Sequence, residues 1–168
     1  MRAKVILFLF ANFILIQANL FAQDSANNAE DLVRELYSSL TINNETSPDW
    51  NRVSQFFDSQ ARIILRSSAT EHKQMDVDAF IADFKSFIAN SNVLETGFSE
   101  TILNLKGHEY GNTAWYSVVY EAKIHGSERK TVGVDHFSLV KFNDTWKIIS
   151  IVNEVSTPDR PIPEFLKN

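Results

Sequence analysis

Val132-Gly-Val-Asp-His-Phe-Ser-Leu-Val-Lys-Phe142, the pair Asn143-Asp144, and Thr145-Trp-Lys-Ile-Ile-Ser-Ile-Val-Asn-Glu-Val155 form the stretch that decides the fold. Apolar and polar residues alternate on both sides of the Asn-Asp pair, which is the period a half-buried strand imposes. Asparagine and aspartate both tolerate the left-handed backbone that a two-residue hairpin turn requires. The same pattern runs backwards along the chain. Strands are expected near 98–109, 113–125, 130–142 and 145–155, joined at Gly111-Asn112, Gly126-Ser127 and Asn143-Asp144. They form an antiparallel meander.

Before residue 98 the period is helical. Leu32, Val33, Leu36, Tyr37 and Leu40 place a first helix over Ala29 to Leu40. Ser47-Pro48 reads as the cap and first turn of a second, with Trp50, Val53, Phe56 and Phe57 on its apolar face. Ala61-Arg-Ile-Ile-Leu-Arg66 is a short strand, with a return strand around His72 to Met75. Asp76 opens a third helix to about Ala89, whose stripe is Val77, Phe80, Ile81, Phe84, Phe87 and Ile88. The tail, 156–168, carries Pro158, Pro161 and Pro163 and is expected to pack as an extended strip, since proline cannot continue a ladder.

Residues 1–22 read as an export signal: Arg2 and Lys4, an apolar run from Val5 to Ile16, and Leu20-Phe-Ala22 before the cleavage point. Residues 23–28 are a polar lead-in, and 29–155 form one domain. Cleavage removes two basic residues and no acid, so the net charge of −5 becomes −7 in the exported chain. An acidic domain without a basic patch argues against nucleic acid and anionic membrane surfaces as partners. There is no cysteine, which excludes disulfides, thiol catalysis and thiolate metal sites. A disulfide-free exported protein suits a bacterial periplasm or secretome.

A two-residue turn at Asn143-Asp144 pairs Leu139 with Ile148 and, in a regular ladder, Asp135 with Val152. One face then carries Leu103, Leu105, Tyr116, Val118, Tyr120, Ala122, Asp135, Phe137, Leu139, Trp146, Ile148, Val152 and Glu154, and should lie under the helices. The other carries Trp115, Ser117, Val119, Val134, His136, Val140, Phe142, Ile149, Ile151 and Asn153. That second face is apolar for a solvated one. It is expected to meet a second copy of the chain, with coverage by the proline-rich tail as the alternative.

Helix, helix, short strand, helix and long meander, together with Asp49–Ile63, Gly111-Asn-Thr-Ala-Trp-Tyr-Ser-Val-Val119 and Phe137-Ser-Leu-Val-Lys-Phe-Asn-Asp-Thr-Trp-Lys-Ile148, resemble the nuclear transport factor 2-like (SnoaL-like) superfamily over roughly residues 30–155. The resemblance implies an α+β cone, in which about three N-terminal helices pack on a curved, mostly antiparallel sheet and leave a pocket at the wide end. The superfamily includes ketosteroid isomerase, scytalone dehydratase, polyketide cyclases, limonene epoxide hydrolase and many non-catalytic binding members. None of their catalytic motifs matches here position by position, so the resemblance carries no catalytic role with it.

The inner face brings Asp135, Glu154, Tyr116 and Tyr120 into one neighbourhood. A carboxylate under the helices must raise its pKa or find a donor. Asp135 is therefore a candidate general base, with Tyr116 or Tyr120 donating to a developing oxyanion. The plainer reading is a structural acid bonded to a core tyrosine or a helix N-terminus. Glu154, Trp50, Phe84 and Phe137 are candidate ligand-binding residues. No histidine has a partner at ligand spacing, so no metal is expected, and without a phosphate loop or nucleotide fingerprint no other cofactor is expected either. These observations point to an exported domain that binds a small apolar molecule. The alternatives are a cofactor-independent isomerase, dehydratase or cyclase using Asp135, and an accessory protein that recognises a partner through the outer sheet face.

Overall fold

The computed structural model describes residues 28–43 and 46–167, so the expected export signal and nearly all of the lead-in lie outside the described residues. Helix α1 is Ala29–Leu40. Asn28 caps it by accepting from the Asp31 amide at 2.8 Å. Helix α2 is Trp50–Gln55 and starts two residues later than the expected Ser47 cap implies, because the Asp49 carboxylate accepts from the amides of Asn51 and Arg52. It is also shorter than the sequence suggested, since Phe57 already belongs to strand β1, Phe57–Arg66. Strand β2 is His72–Met75, and helix α3, Val77–Ala89, is capped by Asp76 as its sequence indicates. A short helix α4, Val93–Thr96, was not foreseen; Gly97 leaves it at a φ of 94°, a backbone that few other residues adopt.

Strands β3 (Phe98–Tyr110), β4 (Thr113–Ile124), β5 (Lys130–Phe142) and β6 (Thr145–Val155) form the expected meander. Asn143 and Asp144 both take positive φ, as their hairpin turn demands. The sheet order is β2-β1-β6-β5-β4-β3, antiparallel throughout except where β1 runs parallel to β6. Helix α1 lies across β3 and β6 and α3 lies against β1, which is the α+β cone. Val33, Val53, Ile63, Val118, Leu139 and Ile148 are fully buried between the helices and the concave face.

The register differs from the expected one at two β-bulges. Leu139 pairs with Ile148 as foreseen, but the next pair is Ser138 with Ser150, which leaves Ile149 extra. Beyond it the parity of β6 is reversed. Asp135 therefore faces Asn153, not Val152, and Ile151 is buried while Val152 is exposed. The sequence had placed Ile151 and Asn153 outside and Val152 and Glu154 inside. In β3, Ile102 pairs with Tyr120 and Asn104 with Val119, so Leu103 is the extra residue and is exposed rather than inward-facing. Glu100, opposite Ala122, lies on the inner face as a result.

The tail settles part of the outer face. Leu166, in a 3-10 turn at Glu164–Leu166, packs on Val119 and Val134 with Ile162, and its carbonyl accepts from Asn104 Nδ2 at 2.7 Å. Trp115 and Phe142, nearer the other end, stay exposed.

Candidate functional site

Between α1, α3 and the concave face lies a pocket of about 300 Å³. Leu36 and Leu40 of α1, Phe80, Phe84 and Phe87 of α3, and Phe98 at the start of β3 form its apolar wall. Phe84, Phe87 and Phe98 pack edge to face, with ring centroids 5.2–5.8 Å apart. The stripe of α3 supplies these rings because residues three and four apart share one side of a helix.

The polar part of the wall is a chain of hydrogen bonds. Tyr37 of α1 donates its hydroxyl to Asp135 Oδ2 at 2.5 Å. Asn153 Nδ2 donates to Asp135 Oδ1 at 2.8 Å and to the Tyr120 hydroxyl oxygen at 2.9 Å. Tyr120 can lie flat over β5 because its partner is Gly133: a β-carbon there would come within 2.6 Å of the Tyr120 hydroxyl and 2.7 Å of its ring. Glu100 adds a second carboxyl to the wall, and no hydrogen-bond partner reaches it among the described residues.

Burial pushes the Asp135 carboxyl up to about 6, against the donations from Tyr37 and Asn153, which favour its ionised form. Glu100 is pushed further, to about 8, by desolvation first and by the Asp135 charge second. Tyr37 and Tyr120 are raised, mainly by burial and next by Asp135. Near neutral pH the wall thus holds an ionised Asp135, a largely neutral Glu100 and two neutral phenols.

Of the residues singled out in the sequence, Asp135, Tyr120, Phe84 and Phe137 come together at this pocket. Three do not. Tyr116 is buried on the same sheet face but opposite Gly107 and Phe137, with Glu109, Glu30 and Asp31 as its charged neighbours. Trp50 is not part of the pocket lining; its ring meets that of Phe84 at a 57° tilt with centroids 5.7 Å apart, and Lys85 Nζ lies 5.6 Å from it. Glu154 sits on the outer face because of the Ile149 bulge and pairs with Arg66 at 3.5 Å and Arg160 at 3.7 Å. His136 also faces outward, with Nδ1 2.8 Å from the Ser117 hydroxyl. Conversely, Tyr37, Glu100 and Asn153 belong to the pocket without having been singled out for it.

No protein-family model matches the chain. No curated protein matches it either. Solved structures do. A nuclear transport factor 2-like protein from Pseudomonas putida is similar at a TM-score of 0.61 and 9% identity, over 80% of this chain and 89% of that one. A nuclear transport factor 2-like protein with a cystatin-like fold from Novosphingobium aromaticivorans gives 0.59 at 12% identity, over 77% and 82%. A protein from the same organism, proposed to be a scytalone dehydratase, gives 0.55 at 14% identity, over 76% and 81%. At such identities the likeness shows the fold alone, and this chain has the nuclear transport factor 2-like, cystatin-like fold.

Proposed function

We propose that the protein is an exported domain that binds a small, largely apolar molecule in the cone pocket. The observation that carries this reading is the pocket's composition: an apolar, aromatic wall with a few convergent polar groups, at the size where small-ligand sites begin. Export rests on the basic, apolar and small-residue order of residues 1–22. Native mass spectrometry of protein purified without denaturation tests the binding reading. The expected result is a small-molecule adduct that is lost when Phe84→Trp narrows the cavity. A bare protein whose melting temperature does not move against a panel of small apolar compounds would overturn it.

A second reading, a cofactor-independent isomerase, dehydratase or cyclase, is favoured by one observation. Two carboxyls on one wall have their pKa values set on either side of neutrality, an arrangement that separates a base from an acid. Asp135 would be the base, and Tyr120, not Tyr116, the donor. Asp135 already accepts two hydrogen bonds, which makes it a weaker base and keeps binding as the leading reading. Turnover that survives Asp135→Asn would dispose of the catalytic reading.

A second copy of the chain remains the proposed partner of the outer face, now limited to the end around Trp115 and Phe142 that the tail leaves uncovered. Light scattering should give twice the chain mass, and Trp115→Glu should halve it.

A further inference from the structure

We propose that the pocket selects an apolar primary amine, whose ammonium group is held at Glu100 and Asp135 while the aromatic wall takes its hydrocarbon part. This deepens the binding reading and rests on it. Three features of the wall point to a cation. Asp83, Glu100 and Asp135 line the pocket, and no lysine, arginine or histidine does. Asp83 is at the rim, where Lys73 pairs with it, so the unmatched acids are the inner two. The third feature is Glu100 itself, a half-buried carboxyl facing the cavity and without a hydrogen-bond partner among the described residues. A carboxyl that only pocket water reaches is open to a ligand donor that replaces that water. An anionic ligand would meet two acids and no counter-charge. A neutral ligand could satisfy Glu100 but would do nothing for the charge of Asp135.

The inference has a protonic signature. The groups facing Glu100 are Asp135, Tyr37 and Tyr120, and none of them is cationic. Free Glu100 is largely neutral at pH 7, being raised to about 8. An ammonium beside it favours the ionised form, so the carboxyl proton must leave to the buffer as the amine binds.

Calorimetry with 2-phenylethylamine, 2-phenylethanol and phenylacetate, at pH 7 in phosphate and in Tris, tests this. The amine should bind roughly tenfold tighter than the alcohol, which is what one charge-assisted hydrogen bond adds over a neutral one. Phenylacetate should bind most weakly. The heat of amine binding should differ between the buffers by the release of most of one proton. Glu100→Gln should bring the amine to within a few-fold of the alcohol and abolish the buffer dependence. Its fold should survive, because the wild-type carboxyl is already neutral at that pH. Equal binding of amine and alcohol, or amine binding unchanged in Glu100→Gln, overturns the amine inference and leaves the pocket reading standing. Preference for phenylacetate does the same. If none of the three binds at millimolar concentration, both fall.

Discussion

Strands β4 and β5 pair without a slip from Thr113 opposite Val140 to Lys123 opposite Lys130, whereas β3 and β6, which flank them, each carry a bulge. On the regular pair, alternation in the sequence tells which side chain faces the helices: Tyr116, Val118, Tyr120, Asp135, Phe137 and Leu139 all do. On the flanking strands the alternation holds only as far as the extra residue. Beyond Leu103 and Ile149 every side chain changes face. Both polar residues that the flanking strands bring to the pocket, Glu100 and Asn153, lie beyond a bulge. The regular pair supplies the frame, and the bulges turn two of the five inner polar groups into the pocket.

The largest expected effect tests the parity of β6. Ile151 is buried and its neighbour Val152 is exposed. Ile151→Ala should therefore cost about 2–5 kcal/mol, and Val152→Ala under about 1 kcal/mol, by denaturant unfolding. The unbulged ladder requires the opposite order, so a larger loss at Val152 would remove the Ile149 bulge and with it the inward placement of Asn153.

Why the bulges escape a reading of the sequence is visible in the residues around them. Ile148-Ile-Ser-Ile-Val152 is apolar on both parities, so it offers no alternation to count. Ile102-Leu-Asn-Leu105 has three apolar residues in four, and that crowding was the available hint of an extra residue in β3. The helices, the meander and its turns were legible because long stripes, caps and turn residues repeat their signal many times. Tyr37 was hidden differently. It sits in the apolar stripe of α1 beside Leu36 and Leu40, where a tyrosine reads as core until the opposing strand is known to present an acid. Trp50 packs against Phe84, whose own ring lines the pocket, and contact with a lining residue cannot be told from lining in the sequence alone.

The next effect concerns the group that the β3 bulge turns inward. Glu100 has a folded pKa raised from 4.5 to about 8. Its contribution to stability is therefore fully present below about pH 4.5 and is lost as pH rises through 8. Relative to wild type, Glu100→Gln should be neutral near pH 4.5 and more stable by about 2 kcal/mol near pH 9, a value discounted for water in the open pocket. Unfolding curves across that range check it. A difference that does not vary with pH would place Glu100 in solvent, outside the pocket.

The smallest effect sets one tyrosine that the regular strands made legible against one that they did not. Tyr116 makes no hydrogen bond among the described residues, so Tyr116→Phe should change stability by under about 0.5 kcal/mol between about pH 4 and 8, below the range where its phenol titrates. Tyr37→Phe removes a donor to Asp135. That donation lowers the Asp135 pKa, so the variant's Asp135 should titrate above 6 when its carboxyl carbon is followed by NMR. Its stability cost should be about 2 kcal/mol near pH 8, where the lost bond is to a carboxylate, and about 1 kcal/mol near pH 4, where it is to a neutral acid. An Asp135 titration unmoved by Tyr37→Phe would mean that burial alone governs this acid. Helix α1 would then contribute packing to the pocket and no control over its charge.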